Sequence, residues 1–173
     1  ERFEEARRAL ADGTLAISTF ADREDLVIPL DRLGYFAHWI TPYIEERRYD
    51  TRFFVCLAPE HQRALHDERE TTDGVWVRPA EILRQNRDGN LKLAPPTLAT
   101  LRSLQTFASA DAVLAFAQSY DPPTILPHVD VEGEEGVTLL LPGDPDYPER
   151  YGTAEGSELD QTRFVMESPG VLR

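Results

Sequence analysis

The 173 residues include one cysteine, Cys56, and no GxSxG, GxGxxG or GxxxxGK[ST] pattern. A single cysteine excludes an internal disulfide framework and suits a reducing compartment such as the cytoplasm. Cys56 sits inside an apolar run, which reads as a small core hydrophobe rather than a nucleophile. Without a serine elbow, a Ser-His-Asp hydrolase has no support. The ten glycines are scattered and build no phosphate cradle. No apolar stretch approaches the ~20 residues of a membrane span, and no signal peptide is visible. Basic residues are few: Lys+Arg 18 against Asp+Glu 31, a formal charge of -13. That field repels a nucleic-acid duplex or an anionic membrane surface, so neither is expected as a partner. A phosphate-bearing small molecule stays compatible, because carboxylates can hold a divalent cation that meets the phosphate.

What is present fits one ordinary domain with a real core, 41% hydrophobic and 28% charged. Phe3, Ala6 and Leu10 recur at helical spacing, with a stop at Asp12-Gly13. Ser18 or Thr19 is expected to cap a second helix running to about Leu26. Tyr35 to Ile40 and Tyr49 to Leu57 read as strands pairing across the charged loop Tyr43 to Arg48. Phe53 to Leu57, nearly continuous in apolar residues, predicts a central strand buried on both faces. Gly74 to Arg78 predicts a short strand, followed by a helix opening on Pro79. Thr97 is expected to cap a helix carrying Leu98, Leu101, Leu104 and Ala108, and Ser109 the next, with Val113, Phe116 and Ala117 inward. ILPHVDVEG and GVTLLLPGD read as a hairpin, and the acidic tail beyond it as an ordered loop or flexible arm. The chain carries no internal repeat, and its element order implies an α+β or mixed α/β class.

Candidate chemistry is sparse. His61 and His66 lie five apart, which puts them on different faces of a helix, so a solvated loop is the reading there. His38, beside Trp39, reads as a packed imidazole, and His128 has no carboxylate beside it in sequence. The spacing of Asp144 and Asp146 matches no calcium loop. Glu68 and Glu70 stand on a loop leading to Trp76, a place where catalytic or metal-binding groups tend to sit, although charge runs are usually just solvated. Asp50 and Arg52 project from one face of a strand. They form either a local ion pair at the strand mouth or a guanidinium, fixed by Asp50, that meets an anionic substrate.

WITP (Trp39 to Pro42), RRYDTRFFV (Arg47 to Val55), ETTDGVWV (Glu70 to Val77) before PAEIL, APPT (Ala94 to Thr97) and LLLPGDPDY (Leu139 to Tyr147) stand in this order along the chain. Together they resemble a Nudix hydrolase. The branch they resemble holds the peroxisomal acyl-coenzyme-A diphosphatases and their bacterial relatives. The resemblance implies an α/β/α sandwich around a mixed sheet, and Mg²⁺- or Mn²⁺-dependent hydrolysis of a diphosphate, with coenzyme A or acyl-coenzyme A as the favoured substrate. It implies a catalytic acid at Glu70, with Glu68 second, and substrate contact at Arg52 with Asp50; Trp76 and Phe53 read equally well as core. The glutamate box that would hold the metal does not occur here; Glu4-Glu5 is its nearest local likeness. Residues 1–147 are accordingly expected to be the later part of a Nudix domain lacking its first strands and box helix, and 148–173 a tail. The start at Glu1 rather than Met fits that expectation. An unpaired sheet edge would favour a homo-oligomer. The alternative is a degenerate, non-catalytic Nudix-derived binding module.

Overall fold

A computed structural model describes residues 2–60, 74–131, 137–148, 163–168 and 171–172. The chain divides into two compact units, Glu1–Arg32 with Ala58–Trp76, and Leu33–Leu57 with Val77–Arg173.

In the first unit, helix α1 spans Arg2–Ala11 and α2 spans Ile17–Arg23. Gly13 ends the first helix with φ 69°, a left-handed conformation that glycine adopts without strain. Phe3 meets Phe20 edge-on at 5.8 Å, which joins the two helices through the apolar face expected of α1. Neither Ser18 nor Thr19 caps α2; the N-cap is Ala16, and both hydroxyl residues lie within the helix. Trp76 is 77% exposed rather than core, and no strand is formed over Gly74 to Arg78.

The second unit holds the sheets. Strand β1 (Gly34–Ile40) lies between β2 (Asp50–Val55), antiparallel, and β3 (Thr124–Ile125), parallel, so the three-stranded sheet is mixed. Helices α3 (Pro79–Arg87), α4 (Pro95–Gln105) and α5 (Ala110–Ser119) follow β2 in the chain. A second sheet orders β4 (His128–Asp130), β5 (Thr138–Leu140), β6 (Arg163–Ser168) and β7 (Val171–Leu172) side by side. The hairpin expectation is met by antiparallel β4 and β5. The tail departs from an arm: β6 pairs with β5, and Phe164 is buried in the core. That core gathers Trp39, Leu98, Ala99, Ile125, Leu139, Leu141 and Phe164. With five α-helices and a mixed sheet among the described residues, the chain has the α/β architecture expected.

Ser109 caps α5 as expected, its Oγ accepting from the Ala112 N–H at 3.2 Å. Thr97 does not cap α4, whose N-cap is Ala94 with prolines opening the helix. An apolar run was no guide to burial in β2. Phe54 is 53% exposed, Leu57 and Cys56 are exposed, and the strand ends at Val55. The reason is that β2 pairs with β1 alone among the described residues, and its side chains alternate between two unequal faces. Cys56 is therefore an exposed thiol rather than a core hydrophobe.

The register of β1 on β2 slips between Tyr35 and Ala37, where Phe36 is the extra residue of a β-bulge. Strict alternation would set Phe36 and His38 on one face and Trp39 on the other. The bulge buries Phe36 and Trp39 together and leaves Tyr35 and His38 on the opposite face.

Candidate functional site

The face of the mixed sheet opposite Trp39 carries the sequence-predicted polar pair. Asp50 and Arg52 do share a face: the Arg52 Nη1 donates to Asp50 Oδ1 at 3.1 Å. The same carboxylate oxygen takes a second, shorter bond of 2.6 Å from His38 Nε2. Pairing of the strands dictates this, because His38 stands directly across from Arg52 and Ile40 across from Asp50. On the other side of β1, Thr124 is the parallel partner of His38, and its Oγ1 lies 2.9 Å from His38 Nδ1. One polar row thus crosses all three strands.

The row fixes its own protons. A carboxylate only accepts, so His38 Nε2 carries a hydrogen toward Asp50. In the neutral ring Nδ1 then accepts from the Thr124 hydroxyl. The His38 side chain is 11% exposed, whereas those of Asp50 and Arg52 are 51% and 52% exposed. Arg52 spends one N–H on Asp50 in a single-contact pair, and its half-exposed fork has further donors to offer. The exposed pair itself adds little stability, about 0–1 kcal/mol. The hydroxyl–imidazole–carboxylate order mimics a hydrolase relay. Thr124 sits within a paired strand, however, not on a sharp elbow, so the likeness stops at the order of the groups.

The neighbouring hairpin loop adds cations to an acidic chain. Its closure is pinned by Tyr49 N–H donating to Thr41 Oγ1 and Arg48 Nε donating to the Thr41 carbonyl, each at 3.0 Å. Arg48 lies over the Tyr43 ring at 4.2 Å and Arg47 over Tyr49 at 5.3 Å. Next to the row, Tyr35 stacks on Phe54 at 5.3 Å.

The expected acids Glu68 and Glu70, with His61, His66 and Asp67, lie outside the described residues. Among the described residues no three His, Cys, Asp or Glu side chains gather into a metal-holding group. Asp50 is no substitute: two donors, from His38 and Arg52, already hold its Oδ1, and among the described residues no further ligands gather beside it. The divalent ion implied by the resemblance therefore does not fit this row. Asp144 serves its own turn: its Oδ1 accepts from the Asp146 N–H at 3.0 Å.

Sequence reasoning identified Asp50 and Arg52 and took His38 for a packed imidazole; it had no view of Thr124. The signal for His38 was its position across a loop of known strands. Thr124 lies 86 residues away through parallel pairing and leaves no local sign.

The family model of the NUDT19 Nudix domain matches residues 6–104, more than half of the 173. The chain belongs to this Nudix family. The match takes in β1, β2 and the sequence positions of Glu68 and Glu70. Among curated proteins, this Nudix chain is similar to the acyl-coenzyme A diphosphatase NUDT19 of Xenopus laevis, 30% identical over 123 residues, 68% of the chain and 32% of that protein. The Gallus gallus protein of the same name is 27% identical over 158 residues, covering 84% of the chain and 40% of its own length. That of Homo sapiens is 30% identical over 122 residues, 68% of the chain and 32% of the protein. The aligned stretch thus spans 32–40% of these relatives' length. No solved structure matches the chain.

Proposed function

We propose that this chain contributes the substrate-orienting part of a Nudix hydrolase that cleaves the diphosphate of a coenzyme-A-type substrate, acyl-coenzyme A being favoured. The reading is carried by one observation: the family match runs through a half-exposed guanidinium whose carboxylate partner is itself tied into a three-strand row. In this reading Asp50 and His38 hold Arg52, and Arg52 presents its remaining donors to a phosphate oxygen. Glu70, with Glu68 as its second, takes the proton of a water that attacks phosphorus. A P–O bond to that water forms as the P–O bond to the bridging oxygen breaks. The family's use of divalent metals points to Mg²⁺ or Mn²⁺, and the donors for it belong elsewhere than the Asp50 row.

The test is hydrolysis of coenzyme A, acyl-coenzyme A, ADP-ribose and NADH with Mg²⁺ or Mn²⁺, on this chain and on any longer protein encoded with it. Arg52→Lys keeps the charge but loses the fork. It is expected to raise KM about tenfold, equivalent to about 1.4 kcal/mol of binding, with the melting temperature unchanged. Glu70→Gln is expected to lower kcat by about 10²-fold or more. Unchanged kinetics in both variants would remove these residues from the reaction. Inactivity on all four substrates with either metal, in this chain and in any longer form, would leave the binding-module alternative standing.

A further inference from the structure

Strand β2 has one bonded edge and one open edge: it pairs with β1 alone among the described residues. Beside the strand mouth, the Thr41 N–H donates to the Tyr49 carbonyl at 3.0 Å. Amides alternate in direction along a strand. Tyr49, Thr51 and Phe53 therefore turn theirs toward β1, and Asp50, Arg52 and Phe54 turn theirs outward. Natural edges are commonly guarded by proline, lysine or other charges. This strand, DTRFFV, has neither proline nor lysine, and its two charges are of opposite sign. Those charges are only partly committed within the chain. Both bonds to Asp50, from His38 Nε2 and Arg52 Nη1, end on Oδ1, and both side chains of the ion pair are half-exposed. Asp50 Oδ2 and the other Arg52 donors face outward from the row without a printed claim on them among the described residues.

We propose that the open edge is a self-association surface, on which β2 of a second copy pairs antiparallel about a two-fold axis passing by Thr51. It does not depend on the coenzyme-A reading. In this register Asp50 stands across from the partner's Arg52, and Arg52 across from the partner's Asp50, with outward amides meeting outward amides. Opposite charges directly across a ladder attract, and like charges there destabilise it. A shift of two residues one way sets Arg52 against Arg52, and the other way Asp50 against Asp50. A shift of one sets outward amides against inward ones. Charge and amide direction thus select one register, in which the strand is its own complement. Phe54, 53% exposed, then lies across from the partner's Arg48, a guanidinium that in each chain already covers the Tyr43 ring at 4.2 Å. Arg52 retains donors beyond the two carboxylates, so pairing and contact with an anion are compatible. The formal charge of -13 on each copy opposes approach at long range. At about 0.15 M salt that repulsion is screened within about 8 Å, which spares the short contacts along the edge.

The experiment is sedimentation equilibrium of the full 173-residue chain at concentrations up to about 1 mM. A monomer–dimer equilibrium is expected, and a monomer throughout overturns the proposal. Arg52→Asp and Asp50→Arg should each weaken the dimer about tenfold or more, because both cross-strand pairs become repulsive. An equimolar mixture of the two variants restores opposite charges at both positions and should yield a heterodimer. Far-UV circular dichroism checks that both variants are folded. A second measurement needs neither of them. Thr51→Cys with Cys56→Ser sets two thiols at a non-hydrogen-bonded pair, Cα atoms about 4.5 Å apart, and should oxidise to a linked dimer. Tyr49→Cys on the same background, about 13 Å from its twin, should not. A dimer undiminished by Arg52→Asp overturns the location, and a mixture that fails to associate overturns the charge pairing. Linkage at position 49 rather than 51 overturns the register. None of these readouts uses a substrate: a dimer without hydrolysis refutes the proposed function alone, and hydrolysis by a strict monomer refutes this surface alone.

Discussion

The two faces of the mixed sheet are built from the same three strands and behave oppositely. One face carries Trp39, Phe36 and Ile125, each buried, and is closed over by α5 so tightly that a Cβ on Gly34 would come within 2.6 Å of the Ala117 Cβ. The other face carries Tyr35, Phe54, Arg52 and Asp50, with their polar ends open and one buried-edge imidazole joining them. The closed face supplies stability through area and packing. The open face supplies direction, holding charged groups in place with bonds that contribute little to folding. A residue's chemistry alone does not settle its role here: two aromatics of one hairpin, Phe53 and Phe54, fall on different sides of that division.

Truncation on each face measures the difference. Trp39→Ala should destabilise the chain most, by about 3–5 kcal/mol in urea unfolding, because it empties the centre of the core. Gly34→Ala comes next, at about 1–3 kcal/mol, since α5 must move to admit the methyl group; adding Ala117→Gly should recover part of the loss. Ser109→Ala removes the cap of the covering helix, and a loss of about 1 kcal/mol is expected in the same assay. The smallest change belongs to the open face: Asp50→Asn should shift stability by less than about 1 kcal/mol. Losses from Asp50→Asn as large as those from Trp39→Ala would erase the distinction between the faces.

Much of the fold could be read from local pattern. The helix opening on Pro79, the Ser109 cap, the β1–β2 pairing and the Asp50–Arg52 pair each depend on neighbours a few residues apart. What escaped depends on remote partners. Cys56 and Phe54 looked interior because apolar runs suggest double-sided burial, whereas exposure was decided by how few strands flank β2 among the described residues. Phe164 looked like part of a tail, yet its burial follows from pairing with β5 across a long connection. Caps were misplaced at Thr97 and Ser18 because the prolines at 95 and 96 and the residue Ala16 had already begun those helices.

The bulge at Phe36 makes β1 a strand of two phases. Before it, odd-numbered positions look outward; after it, even-numbered ones do, so His38 reaches Asp50 while Trp39 reaches the core. Removing one residue there would act as a frameshift in space: sequence composition would hardly change, yet imidazole and indole would trade sides. The orientation of the polar row and the burial of Trp39 are thus set together by a single extra residue.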